Sequence, residues 1–174
     1  MFPLTLVLHL SALALCASGI DVAILALPLR GHEFEAVPLL TERLFAALPK
    51  KHKLNSRPSL SLKDLRAEPF LLLRDGHCFR DTAVAACDRA RLHPQIVFES
   101  GQFSSLLSMV GAGMGVSIVP EMAIEKKSQC RYVRIADEQA VRTIGTVVLR
   151  GRSLTRAYNA FLSHLRASSP RTLS

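Results

Sequence analysis

The chain has 174 residues, of which 49% are hydrophobic, and its formal net charge at pH 7 is +8. This length allows one ordinary domain or two small lobes, with enough apolar content for a real core. A positive balance favours anionic partners, but the only tight basic cluster, 50–53, falls in a predicted loop and has no interleaved aromatic residues. A nucleic-acid-binding surface is therefore not expected within this chain.

The four cysteines, Cys16, Cys78, Cys87 and Cys130, are sparse and form no CxxC pair. This usage argues against a secreted disulfide framework and favours reduced thiols in the cytoplasm. Taken alone, a buried cysteine is usually an inert small hydrophobe. We expect that role for Cys16 and Cys130.

Residues 1–19 are open to two interpretations. The apolar run ends in small residues and so resembles a secretory signal, but no Lys or Arg precedes it and His9 interrupts it. It is also short for a membrane span. We favour a helix that leads into the first strand, and we expect no membrane association.

Short strands alternate with helical stretches along the rest of the chain. The segment 20–27 is nearly all apolar, which is typical of a strand covered on both faces in an α/β protein. The next predicted elements are strands near 34–39 and 43–49, a helical turn at 61–65, a buried strand at 70–73, a helix at 81–92 and a strand at 96–99. They are followed by a helix through Val110 that Ser104 or Ser105 caps, a strand at 115–119, a helix with a charged link, and a strand at 143–149. The last element is a closing helix that carries apolar side chains on one face, namely Leu154, Tyr158, Phe161, Leu162 and Leu165.

This order predicts two α/β lobes. The first comprises 20–45 and receives the returning chain at 142–168, the second comprises 46–141, and 169–174 form a disordered tail. Ligands of open α/β sheets bind beyond the carboxyl ends of the strands, often between lobes. A residue that directly follows the strand 70–73 occupies such a place.

The segment Arg74-Asp75-Gly76-His77-Cys78-Phe79-Arg80-Asp81 follows that strand. Cys78 is flanked by a histidine and two arginines and stands just ahead of the predicted helix 81–92. Positive charge or a helix N-terminus lowers the pKa of a thiol and so favours the reactive thiolate. Zinc is bound by histidine and cysteine, and the chain offers His77, Cys78, Cys87 and His93, but their spacing matches no standard zinc pattern. We expect neither metal nor cofactor.

Four segments carry a resemblance to a known family. They are 20–27, the run Asp75–Asp81 with Cys87 beyond it, the glycine segment 109–120, and Arg142-Thr143-Ile144-Gly145. Together they resemble the regulatory domain of the OxyR-like peroxide sensors among the LysR-type transcriptional regulators, over about residues 20–168. The resemblance implies a two-lobed α/β fold like that of periplasmic binding proteins, with an incomplete first lobe.

The resemblance also implies roles for individual residues. Cys78 corresponds to the peroxidatic cysteine, which peroxide oxidises to a sulfenic acid, and Cys87 to the resolving cysteine, which closes the disulfide. His77 corresponds to the histidine beside the reactive thiol, and Arg142 to the arginine that positions peroxide. Asp81 corresponds to an acidic residue near the site, although helix capping explains it equally well.

Arg142 has a simpler interpretation too, which is a surface ion pair with a nearby carboxylate such as Asp137 or Glu138.

The pairing of Cys78 with Cys87 that the resemblance implies has a physical consequence. If the segment between Cys78 and Cys87 is helical, their Cα atoms lie about 13 Å apart, whereas a disulfide needs Cα atoms within about 7 Å. The helix would therefore have to rearrange for the bond to close.

Three function classes follow from these observations. The first is a non-enzymatic effector domain that senses hydrogen peroxide through a reversible Cys78–Cys87 disulfide. The second is a small-molecule effector domain or a solute-binding protein in which Cys78 is incidental, and the third is a thiol peroxidase. We favour the first, as a homodimer or tetramer. We expect it to contact DNA only through a helix-turn-helix, which is not recognised in these 174 residues.

Overall fold

In the computed structural model of the chain, the described residues are 20–29, 31–151 and 155–168. Their elements in chain order are β1 (Ala23–Leu27), β2 (Phe34–Pro49), a 3₁₀ turn (Lys53–Ser56), β3 (Ser59–Leu60), a 3₁₀ turn (Leu62–Leu65), β4 (Pro69–Leu73), α1 (Cys78–Arg89), β5 (Gln95–Ser100), α2 (Phe103–Gly111), β6 (Ser117–Pro120), a 3₁₀ turn (Glu121–Ala123), β7 (Cys130–Ile135), β8 (Val141–Leu149) and α3 (Arg156–Ser168). The helix expected at 1–19, with Cys16, and the tail expected at 169–174 lie outside the described residues.

The chain divides into two compact units, which we describe separately. Unit 1 contains the described residues up to Glu42 and those from Arg142 onward, and unit 2 is Arg43–Val141. The chain leaves unit 1 within β2 and returns to it at the beginning of β8. The sequence analysis predicts these two crossings after residues 45 and 141.

Unit 1 is built on antiparallel pairing. β1 pairs with β8 in the register Ala23 opposite Val147 through Leu27 opposite Thr143, and β8 is also hydrogen-bonded to β2. The side-chain hydroxyls of Thr41 and Thr143 lie 2.9 Å apart. On α3, Tyr158 and Leu162 are buried against Val148.

Unit 2 contains the larger core. The second half of β2 pairs antiparallel with β6 and with β7, and β3 lies parallel to β7. β4 and β5 form a parallel two-stranded sheet. The side chains of β4 from Phe70 to Leu73 are buried, as are Phe79 of α1 and Leu106 of α2, so both helices pack on this strand pair.

The glycine segment before β6 has a steric reason at Gly115. This residue has φ +157°, and a Cβ atom there would lie 2.3 Å from the carbonyl oxygen of Pro69. The close approach lets Val116 exchange backbone hydrogen bonds with β4, from its N–H to Pro69 at 2.9 Å and from Leu71 to its carbonyl at 2.8 Å. Glycine is required because any side chain would push the two segments apart.

Two expectations about the first strands were wrong. The segment 20–27 forms the strand Ala23–Leu27, but it is not covered on both faces, because Ile24 is 50% exposed and only Ala23 is buried. The separate strands expected at 34–39 and 43–49 are one 16-residue strand, β2. Pro38 does not interrupt it, since proline lacks an N–H but readily adopts extended backbone.

The helices and one strand also differ from expectation. The helix expected at 81–92 begins three residues earlier, at Cys78. Gln102, not Ser104 or Ser105, is the N-cap of α2. β7 is a strand that the sequence analysis does not predict, and in it buried Cys130, Val133 and Ile135 are separated by exposed arginines. By contrast, the helical turn expected at 61–65 is confirmed, with a capping box in which Asp64 accepts the backbone N–H of Ser61 at 2.8 Å.

Candidate functional site

The candidate site is built where β4 ends and α1 begins. The buried strand ends at Leu73, and a turn containing Gly76 with φ +89° leads into the helix. Cys78 is the first residue of α1. A helix N-terminus carries unpaired N–H groups and a partial positive charge, and it therefore favours a thiolate.

His77 is the N-cap of α1. Its Nδ1 atom accepts the backbone N–H of Phe79 at 3.2 Å, and its ring meets Phe103 edge to face at a centroid distance of 5.6 Å. Through this backbone contact, His77 holds the first turn of α1 in place.

Arg80 is engaged by the elements around α1. Its Nη1 atom donates to the carbonyl oxygen of Leu73 at 3.0 Å and also pairs with Glu99 of β5. Its Nε atom lies 2.7 Å from Oδ1 of Asp75. Because Arg80 contacts Leu73, Asp75 and Glu99, it anchors the first turn of α1 to the end of β4 and to β5.

Asp81 is the fourth residue of α1 and does not cap it; the capping explanation was wrong because the helix begins at Cys78. Partial burial raises the pKa of Asp81, a shift that the positive charge of Arg80 opposes. A carboxylate in the first turn stabilises the helix through its dipole. Asp81 therefore contributes to the same helix terminus as His77.

Cys87 lies in the core of unit 2, on the last turns of α1. It is fully buried and is a free thiol. Burial raises the pKa of the Cys87 thiol to about 12, and the nearby Asp88 adds to the shift. Cys87 is therefore protonated and shielded from solvent while α1 is intact.

Cys78 and Cys87 belong to one continuous helix. Nine residues at about 1.5 Å each place their Cα atoms about 13 Å apart, well beyond the reach of a disulfide.

The C-terminus of α1 is closed by two backbone hydrogen bonds. The N–H of Leu92 bonds to the carbonyl of Cys87 and that of Arg91 to Asp88, both at 2.9 Å, which is a Schellman motif.

Arg142 lies in unit 1, whereas the two cysteines lie in unit 2. Its carboxylate partner is Glu42, one hundred residues earlier, and not Asp137 or Glu138. The Nε atom donates to Oε1 of Glu42 at 2.8 Å, Nη2 donates to the same oxygen, and both side chains are buried. Sequence reasoning missed Glu42, although an acidic residue in the interior of the largely apolar strand β2 was a visible signal.

The other cysteine of the described region, Cys130, opens β7. It is a free, buried thiol that donates to the carbonyl oxygen of Leu107 at 3.1 Å. Burial raises its pKa. These contacts suit a packing role.

Within residues 20–29, 31–151 and 155–168, no group of three or more His, Cys, Asp or Glu side chains is arranged to hold a metal ion. The helices of this described part include none that is both long and apolar enough to cross a membrane.

The family model of the LysR substrate binding domain matches residues 4–170. The transcriptional dual regulator OxyR of Escherichia coli is 33% identical over 151 residues, which is 85% of this chain and 50% of that protein. The transcriptional dual regulator GltC of Bacillus subtilis is 30% identical over 145 residues, covering 82% of this chain and 48% of the relative.

The fold is also found in solved structures. The reduced form of the OxyR regulatory domain from Pseudomonas aeruginosa superposes with a TM-score of 0.76 at 25% identity, covering 91% of this chain and 78% of that one. An OxyR variant from Corynebacterium glutamicum gives 0.79 at 28% identity, covering 92% and 51%. The chain spans about half the length of the curated relatives it matches. With the expected α/β fold confirmed and nearly the whole chain matched, this protein belongs to the LysR substrate-binding domain family.

Proposed function

We propose that this chain is the effector domain of an OxyR-like regulator and that it senses hydrogen peroxide through a reversible Cys78–Cys87 disulfide. The observation that carries the proposal is the position of the two cysteines on α1. One is the first residue of the helix, capped by His77, and the other is a buried free thiol nine residues later. The similarity to the Escherichia coli OxyR supports it.

The chemistry has two steps. The Cys78 thiolate attacks one oxygen of hydrogen peroxide, the O–O bond breaks, and a sulfenic acid forms as hydroxide leaves. The Cys87 sulfur then attacks the sulfenic sulfur, and water leaves as the disulfide forms. Together the two thiols lose two electrons and two protons, and peroxide becomes two molecules of water.

The second step depends on the geometry of α1. With the helix intact, the Cys87 sulfur is buried and about 13 Å of helix separates the two Cα atoms. The segment between the cysteines must therefore lose its helical form before the bond can close. Such an element has two alternative packings and one covalent bond selects between them, which is how a redox switch changes a protein.

Arg142 is the third residue with a role in the proposed reaction. Its guanidinium is held by Glu42 in unit 1, and we propose that it positions peroxide, as the family resemblance implies. We also propose that the protein is cytoplasmic. The conformational change would be read by a DNA-binding element outside the 174 residues.

Mass spectrometry of the full chain after stoichiometric peroxide tests the proposal. We expect a Cys78–Cys87 linked peptide in the wild type and in Cys130→Ser, which removes a buried thiol outside the pair. Cys87→Ser should instead accumulate a sulfenic acid on Cys78 that dimedone traps. Absence of the linked peptide, together with undiminished thiol loss in Cys78→Ser, would contradict the proposal.

A second candidate is an effector domain that binds a small molecule and has no redox role. The deep burial of Cys87 favours it, because a thiol with a pKa of about 12 inside a complete helix is also what an inert core cysteine looks like. In that case peroxide would leave the Cys87 thiol free at every stoichiometry, and the same mass spectra would show this.

A further inference from the structure

The C-terminal turns of α1 form one wall of an open pocket of about 440 Å³ within unit 2. The other lining residues are Leu62 and Lys63 of the 3₁₀ turn Leu62–Leu65 and the loop 137–140. Pockets that hold small organic ligands have volumes of about 300–1,000 Å³. The pocket is therefore large enough for a molecule of metabolite size.

The rim of the pocket carries three exposed cations, Lys63, Arg89 and Arg91. Among the residues that the structure describes, none of the ion pairs involves any of the three. Arg89 is nevertheless held in place, because its Nη2 atom donates to the carbonyl oxygen of Gln139 at 3.0 Å. The guanidinium of Arg89 donates one N–H to the protein and has further N–H groups that can bind a carboxylate.

Arg91 is an unusual residue for its position. It follows the C-cap of α1 with φ +53°, the left-handed conformation that closes a Schellman motif. Glycine is the usual residue there, and another side chain costs about 1 kcal/mol. The chain thus keeps a cation at the rim of the pocket where the backbone alone would favour glycine.

The other residues that line the pocket narrow the class of ligand that it can bind. Three of them, Leu62, Ala86 and Ala140, are apolar and buried, and we call them the apolar floor. Of the two carboxylates in the lining, Asp137 is occupied by the backbone N–H of Leu62 at 2.8 Å, and Glu138 is exposed. These carboxylates disfavour a doubly charged phosphate, whereas a monocarboxylate with a short apolar body and a hydroxyl group matches the cations, the apolar floor and Glu138.

We propose that this pocket binds a small organic hydroxycarboxylate and that the bound ligand holds α1 in its helical form. Ala86 and Arg89 line the pocket on either side of Cys87, so the wall is lost when the segment between the cysteines rearranges. A ligand that binds only the helical form therefore opposes disulfide closure. This second effect rests on the proposed peroxide-sensing function.

Calorimetric titration of the reduced full chain with 3-hydroxybutyrate tests the binding site. We expect saturable binding that weakens at least about tenfold in Arg89→Gln and in Arg91→Gly, each of which removes a charged donor. Arg91→Gly also relieves the left-handed residue, so its loss of affinity cannot be ascribed to unfolding. The matched control is Arg131→Gln, an exposed arginine on β7 that does not line the pocket.

The proposal is overturned if no saturable binding occurs, if both pocket variants bind as the wild type does, or if the uncharged 3-hydroxybutyramide binds equally well. Displacement of the probe by inorganic phosphate at equal concentration would likewise overturn the assignment to a carboxylate.

The effect on the helix is measured separately, as the rate at which the Cys78–Cys87 disulfide closes after peroxide. With probe at three times its dissociation constant, closure should slow about fourfold. An unchanged rate would refute the coupling. If no disulfide forms even without the probe, the proposed sensing function fails, while the titration still decides whether the pocket binds a carboxylate.

Discussion

The stability of α1 should control how fast the disulfide closes, and Ala85→Gly tests this directly. Ala85 lies between the two cysteines in the interior of α1, and its side chain is only half-buried. The substitution therefore removes little packing. Its main effect is on the backbone, because glycine in a helix interior is less favourable than alanine by about 1 kcal/mol.

This magnitude converts into a rate. Closure requires the segment 78–87 to leave the helical form, since about 13 Å separates the Cα atoms within it. If opening costs about 1 kcal/mol less, the population of open molecules rises about fivefold, and closure accelerates by the same factor. Oxidation of Cys78 precedes opening and should keep its wild-type rate.

The assay follows both steps in one experiment. Samples are quenched at intervals after peroxide, with dimedone to trap the sulfenic acid and an alkylating reagent for free thiols, and the linked peptide is quantified by mass spectrometry. Ala160→Gly is the matched control, since it makes the same change at an exposed position of α3. Closure that is no faster in Ala85→Gly than in the wild type, or equally accelerated in Ala160→Gly, would refute the reasoning.

Three further predictions concern the buried groups and the capping carboxylate. Glu42→Gln should lower the free energy of unfolding by about 3–5 kcal/mol in urea melts, because the buried guanidinium of Arg142 loses its ion pair with Glu42. Glu35→Gln, at an exposed ion pair, should change it by less than about 1 kcal/mol. Iodoacetamide at pH 8 should leave Cys87 unmodified for as long as the reduced chain remains folded, because a pKa of about 12 leaves about one thiol in ten thousand as thiolate. Unfolding in urea should make Cys87 reactive. Rapid alkylation of Cys87 in the native chain would contradict its burial. The backbone hydrogen bond that Asp64 accepts from Ser61 lowers the pKa of this carboxyl below its ordinary value of 3.8. The ionised carboxylate therefore stabilises the fold fully above pH 3.8, and this contribution is lost as the pH falls through the lower pKa of the folded state. Asp64→Asn should make the free energy of unfolding measurably less dependent on pH between about 4 and 2, and an unchanged dependence would argue against the effect.

Local patterns were enough to predict the elements that carry the site. The apolar run of β4 and the turn residues after it predict that Cys78 follows a buried strand and stands just ahead of a helix. In the structure Cys78 does follow β4, but it is the first residue of α1. The position of the helix start was wrong because the N-cap is His77, and histidine is not among the usual capping residues. β7 was missed although Val133 and Ile135 alternate with Arg134, since two charged residues in six weaken the strand pattern.

The partner of Arg142 could not be predicted from local sequence. Proximity along the chain favoured Asp137 and Glu138, but the guanidinium is paired with Glu42 because β8 and β2 are neighbours in the sheet. Asp137 is occupied by the amide of Leu62 instead. Such pairings depend on which strands become neighbours, and that information is contained in the whole fold.

The two cysteines place opposite demands on one helix. A thiolate at the first residue of α1 is favoured by the unpaired N–H groups and the dipole of a formed helix, and His77 and Arg80 hold that first turn in place. Resolution needs the same segment to be unformed, because Cys87 is buried within it. The proposed mechanism is therefore ordered: oxidation occurs in the helical form and closure follows opening. Between the two steps the sulfenic acid must persist, so any change that stabilises α1 should lengthen its lifetime and expose Cys78 to further oxidation by excess peroxide.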